Sequence, residues 1–322
     1  MAMSGKEAMA ALRVLVHIAK VDGTLHDGER VALQAALEGA PLPHGKTLES
    51  MLAEPIDFDA QLAELWNDES KEQTFESAWA IAWADGACSP EEQQALAHMA
   101  TALAIPPERA AALEKIFATP GSEGPPPQAP PITIASARAA RIGEQTLKSS
   151  IMAAAFCAAP MRGIVVATEI AVNAVQTRLI RFVAATAGKP LPPGGATRVL
   201  HAFGVGTPAW LAAANLSRLV PGWVGSFDAA AAFASTHACG KLTEVLAASG
   251  EAATIAGGGT VPGLEERFAE AERSARLLHP ESESAISARE ASTRNALSQL
   301  ADSLSKGTID RPTFERRAAE LT

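Results

Sequence analysis

His17-Ile-Ala-Lys-Val-Asp22-Gly23-Thr-Leu-His-Asp-Gly-Glu29 and Ala80-Ile-Ala-Trp-Ala-Asp85-Gly86-Ala-Cys-Ser-Pro-Glu-Glu92 are two versions of one pattern. They align without a gap at a constant offset of 63 residues, and Leu33 then falls on Leu96. Each copy reads as an amphipathic helix, a short loop opened by Asp-Gly, and a second helix. Glycine ends a helix cheaply because it accepts the left-handed backbone. In the second copy Ser89 is the N-cap, Pro90 the first helical residue and Glu92 the third-position acid of a capping box. In the first copy His26 stands where Ser89 does, so its cap is less standard. Pro106-Pro-Glu-Arg109 opens a further helix by the same proline logic, running to about residue 118. A helical hairpin written twice predicts an all-α bundle over residues 1–117.

The remaining composition also favours helix. Apolar residues make up 48% of the 322, yet aromatics are only 5% and tyrosine is absent. Much of the apolar share is alanine, a strong helix former and a poor strand former. Packed alanine faces let helices approach closely while burying little area per residue. Thin helix–helix seams are therefore expected rather than a thick aromatic core.

Two breaks divide the chain. Thr119-Pro-Gly-Ser-Glu-Gly-Pro-Pro-Pro-Gln-Ala-Pro-Pro131 cannot be helix and reads as a semi-rigid extended spacer. Gly257-Gly-Gly-Thr-Val-Pro-Gly263 reads as a flexible break. The expected organisation is an acidic domain at 1–117, a Pro-rich linker at 118–132 and a basic Ala/Gly-rich helical domain at 133–250. A Gly-rich linker at 251–263 and a helical tail at 264–322 follow. Residues 1–117 carry 19 acids against 8 bases, a net of −11, whereas 135–250 carry 4 acids against 10 bases, a net of +6. Such a split implies different partners for the two halves, or docking of one on the other.

The Ala/Val-Asp-Gly step with a glutamate seven residues after the aspartate resembles the TerB family, named for tellurite-resistance operons. Both copies keep that spacing, Asp22 to Glu29 and Asp85 to Glu92. In the middle segment, a helix ending near Pro160 is followed by a long helical pattern over 164–185. The turn Val220-Pro-Gly-Trp-Val-Gly225 then opens an alanine-rich helix at 227–248. This order is similar to an uncharacterised helical domain found in YcjF and beside Era-like GTPases. That family has an acid soon after its first proline, where this chain has Arg162 and only later Glu169. The tail shows helical patterns over 264–278 and 284–305. Its end, with Gly307-Thr-Ile309-Asp310, Phe314 and Leu321, resembles the SHOCT short C-terminal module. So small a module must pack on a neighbour, which suits docking or self-association.

The acidic loops are the candidate site. Asp22 and Asp85 sit at helix C-termini, where a negative charge is unfavourable by roughly 0.3–1 kcal/mol. A local rule broken twice at equivalent positions suggests a job. Asp22, Glu29, Asp85 and Glu92, with Asp27 and Glu91 nearby, are candidates to hold a divalent cation such as Ca²⁺ or Mg²⁺. The TerB resemblance implies the same kind of acidic, metal-binding surface. The plainer account takes Glu29 and Glu92 as capping residues, and it ranks ahead because no full EF-hand ligand series is present. No cofactor beyond such a cation is implied.

Other chemistry finds little support. The seven histidines are scattered, and no nucleophile elbow, Walker loop or His-Glu-x-x-His occurs. The chain is therefore expected not to be an enzyme. Cys88, Cys157 and Cys239 lack zinc-ligand spacing and suit a reducing cytosol. The N-terminus has no apolar signal region, so export by the common route is not expected. The bases of the middle segment are dispersed without interleaved aromatics, which argues against nucleic acid.

The reading that results is a non-enzymatic scaffold or adaptor. Its acidic head is coupled to a basic domain that docks on an anionic membrane surface or a GTPase-type partner, and its tail self-associates into a homo-oligomer. The YcjF resemblance implies a membrane setting, with Trp210 and Trp223 near Gly-Pro turns. The first alternative is a divalent-metal-binding stress protein of the tellurite-resistance kind. The second is insertion or pore formation by the middle segment. A cytoplasmic location is expected, at or in the inner membrane.

Overall fold

The computed structural model describes residues 5–23, 25, 30, 33, 47–84, 87–119, 121, 123, 132–158, 166–206 and 229–321. Among these residues all regular structure is helical and no strand occurs. The first segment contributes α1 (Gly5–Ile18), α2 (Leu48–Ala53), α3 (Phe58–Ala63), α4 (Asp68–Ala82), α5 (Pro90–Ala102) and α6 (Pro107–Ala118). Side-chain caps start four of them. Thr47 and Ser50 form a reciprocal capping box on α2, and Asp57 and Asn67 accept N–H bonds at the starts of α3 and α4. Ser89 caps α5, with Pro90 as its first residue, as the sequence predicts. The α1 and α4 helices, the leading helices of the two copies, pack against each other. The 63-residue offset also relates burial: Leu12 and Phe75, Leu15 and Ala78, Ile18 and Ile81, and Leu33 and Leu96 are all core residues.

The rest of the chain forms α7 (Ala135–Ala158), α8 (Val166–Thr186), α9 (Gly195–Ala202), α10 (Ala229–Ser249) and α11 (Glu251–Ala256). The tail adds α12 (Leu264–Arg276), α13 (His279–Ser305) and α14 (Arg311–Glu320). Thus the first six residues of the predicted Gly-rich linker are helical, and the break begins at Gly257. The turn at 220–225, with Trp210 and Trp223, lies outside the described residues. The expected thin seams are present. The α7 helix runs against α8, α10 and α13, and its Ala153, Ala154 and Ala155 are fully buried. Hydroxyl and amide groups lie in the same seams: Gln176 Nε2 donates to Ser235 Oγ and Thr236 Oγ1, each at 3.2 Å.

One apolar core crosses the predicted boundaries. It joins α1–α6 to Met152, Phe156 and Val166–Val175 of the middle segment, and to Leu297, Leu304, Phe314 and Ala318 of the tail. The apolar anchors of the tail therefore face their own chain. Arg311 of α14 donates to the Ile116 carbonyl of α6 at 3.0 Å, and Arg178 of α8 donates to the Ala319 carbonyl.

Glu123, in the predicted Pro-rich linker, is bonded to the body. The Glu123 carboxylate accepts from Gly194 N at 3.1 Å, from Thr197 N at 2.7 Å and from Thr197 Oγ1 at 3.0 Å, at the start of α9. Arg181 donates to the Glu123 carbonyl at 2.6 Å. A carboxylate is well placed there, because the first N–H groups of a helix lack intrahelical partners and carry partial positive charge.

No helix among the described residues is long and apolar enough to cross a membrane. The apolar tracts of the middle segment are alanine-rich and only mildly hydrophobic. They are interrupted by Glu169, Arg178 and Arg181 in α8 and by Lys241 and Glu244 in α10. The inserted, pore-forming alternative is therefore not supported.

The α7–α10 seam depends on one missing side chain. A Cβ on Gly240 would lie 2.4 Å from Thr146 Oγ1 and 2.7 Å from its Cγ2. Gly240→Ala should destabilise the fold by about 1–3 kcal/mol through overpacking. Adding Thr146→Ala should recover part of the loss, as read by urea denaturation of the two variants.

Candidate functional site

The acidic loops are only half described. Asp22 is partly buried in the turn that ends α1, and Gly23 follows with φ +85°. Glu29 and Asp85 lie outside the described residues. Glu92 is buried and caps its own helix: Ser89 N donates to Glu92 Oε2 at 2.7 Å, and Glu92 N donates to Ser89 Oγ at 3.2 Å. At least one of the four predicted metal ligands therefore has a structural task. Among the described residues no group of three or more His, Cys, Asp or Glu is arranged to hold a metal ion.

A second acidic site joins the first segment to the middle one. Glu76, on α4, is completely buried. Arg109 of α6 donates to its Oε1. The N–H of Val166, the first residue of α8, donates to its Oε2 at 3.1 Å. That N–H is one of the orphan donors of a helix start, and the α8 macrodipole favours a carboxylate there. Glu169, one turn further along α8, brings a second buried acid close by. Burial pushes the Glu76 carboxyl up to about 7, against the pull of Arg109 and the Val166 N–H; Glu169 and Glu72 push it further up. Taking a carboxylate out of water costs several kcal/mol, and here that cost outweighs the partner's attraction.

A third group assembles histidines that are far apart in sequence. His17 stacks on Phe58 with ring centroids 4.2 Å apart, and Phe58 lies 5.9 Å from His98. His98 Nε2 is 2.6 Å from Asp59 Oδ1, at an exposed position. Burial lowers the His17 pKa below the usual imidazole value and nearby Lys20 adds to the effect, partly opposed by Asp59. Sequence reading missed both this group and Glu76. A signal for Glu76 existed, since it interrupts an otherwise apolar and small-residue stretch from Phe75 to Ala82.

The raised Glu76 value sets a pH dependence. The folded form binds its proton more tightly than the unfolded form, so ionisation weakens the fold progressively as pH rises from about 4.5 through about 7. Glu76→Gln removes the titration but keeps one acceptor oxygen for two donors. The variant should be less stable than wild type near pH 5 and narrow the gap by pH 8 in urea denaturation. Glu76→Ala leaves Arg109 and the Val166 N–H without an acceptor, and should cost about 3–5 kcal/mol near pH 5 and less by pH 8, where wild type has itself been weakened by ionisation of Glu76.

Comparison with known proteins bears on the first segment. No curated protein and no solved structure matches the chain. Residues 6–115, which hold both hairpin copies and Glu76, match the family model described as tellurite resistance protein TerB.

Proposed function

We propose that this chain is a non-enzymatic adaptor, an acidic TerB-like head held in fixed relation to a basic helical body that docks on an anionic membrane surface. The observation that carries the reading is the Glu76 contact. It makes the start of α8, the second long helix of the body, an extension of the head, so two oppositely charged modules act as one unit. The continuous apolar core supports the same view.

The docking surface in this reading is the outer face of α7. It exposes Leu147, Arg141 and Lys148, and Ile134 lies just before the helix. Apolar residues flanked by bases suit the headgroup region of an anionic bilayer. Glu144 sits between the two bases. Lys148 and Arg141 hold its carboxyl below the usual range, so it stays ionised and offsets them. A GTPase-type partner remains the alternative docking target. With the anchors of α14 turned inward, the tail in this reading holds head to body.

Flotation of the full chain with phosphatidylserine-rich vesicles tests the reading. Binding at low salt that is stripped at about 0.5 M salt is expected, because exposed charge pairs are screened there. Arg141→Gln with Lys148→Gln should weaken it, and Glu144→Gln should strengthen it. No flotation at low salt overturns membrane docking. The divalent-cation reading of Asp22, Glu29, Asp85 and Glu92 draws support from the family match. Calorimetry of the full chain with CaCl₂ and MgCl₂ tests it: absence of heat, or heat unchanged by Asp22→Asn with Asp85→Asn, removes it.

A further inference from the structure

A cleft of about 450 Å³ opens where head, Pro-rich segment, body and tail meet. We propose that it binds a small organic anion carrying an amino or hydroxyl group, an inference independent of the adaptor reading. Its size falls in the usual range for small-molecule sites. Trp83 and Phe117 of the head and Leu200 of α9 give it apolar walls. Asn173 and Thr177 of α8 and Arg316 of α14 supply the polar groups used below.

The carboxylates of the cleft are already engaged. Glu123 is held by the start of α9, and Glu315 receives Arg311 Nε at 2.8 Å. Neither can repel an anion as an unpaired charge does. Arg316 lines the cleft and, although it acts electrostatically on Asp310, it makes no ion pair within 4 Å among the described residues, so its guanidinium can meet a carboxylate or phosphate. Among the lining groups, Asn173 Oδ1 is buried with no hydrogen-bond partner. A buried acceptor without a donor is costly, at roughly 1–3 kcal/mol, and a ligand N–H or O–H removes that cost. Thr177 is buried one helical turn along α8 and lines the same wall.

Gly206 keeps the amide open. Its φ is +75°, and a Cβ there would lie 2.8 Å from Leu200 Cδ2 and 3.2 Å from Asn173 Oδ1. The ligand that fits has an anion at Arg316, an apolar body against Trp83 and Phe117, and a donor at Asn173.

Three probes separate these requirements on the full chain: 4-aminobenzoate has anion, ring and donor; benzoate lacks the donor; aniline lacks the anion. Saturable calorimetric binding is expected for 4-aminobenzoate, with benzoate and aniline each about tenfold weaker or more. Arg316→Gln, an exposed position, should weaken both benzoates by about tenfold and leave aniline unchanged. Asn173→Ala should abolish the difference between 4-aminobenzoate and benzoate. No saturable binding of 4-aminobenzoate up to about 10 mM, or binding unaffected by Arg316→Gln, overturns the proposal.

Discussion

A carboxylate with no access to water constrains the whole molecule. Glu76 is held by a guanidinium from its own segment and a backbone N–H from the next one. If α8 were removed, that carboxylate would lose the Val166 N–H that donates to its Oε2. The same holds for the apolar residues around it: Phe156, Val166 and Phe314 close a core that α1–α6 begin but do not complete. Buried ion pairs rarely add much stability over an apolar replacement, but they penalise wrong arrangements heavily. Glu76 thus specifies where the body attaches, while burial of the surrounding apolar surface supplies the driving force.

The alanine content explains the character of the body. With few bulky side chains, its helices gain contact by close approach, as at Gly240 against Thr146. Close approach tolerates small polar groups in the seams, and Ser150, Thr236 and Gln176 are all buried. Ser150 returns its hydroxyl to the Thr146 carbonyl at 2.7 Å, so burial does not leave it unsatisfied. Small residues and internal hydroxyl bonds are also what helices use inside bilayers. That overlap makes the sequence resemble a membrane segment, although no described helix is apolar enough to span one.

What could be read from the sequence was local. The repeat, the Ser89–Glu92 capping box, the proline start of α6 and the long helices of the body all depend on residues within a turn or two of each other, where spacing carries the information. The decisive contacts are not local. Glu76 meets a partner 90 residues away, Glu123 meets α9 at 74, and Arg311 meets α6 at 195. No periodicity reports such pairs, and the Pro-rich composition around Glu123 reads as a semi-rigid extended spacer. Of the predicted acidic site, Glu92 is accounted for by its cap, which was the plainer of the two accounts available from sequence.

These distant contacts also shape a ligand pocket. Space opens where elements of different origin meet at angles set by other contacts. The cleft beside Trp83 is such a place: Glu123 fixes one wall, Arg311 and Glu315 fix another, and α8 is positioned by Glu76 at its start. Occupancy of the cleft would be felt by head, body and tail together, since a residue from each lines it. A ligand that bound only the assembled junction would stabilise that arrangement over any in which the segments part, by mass action alone.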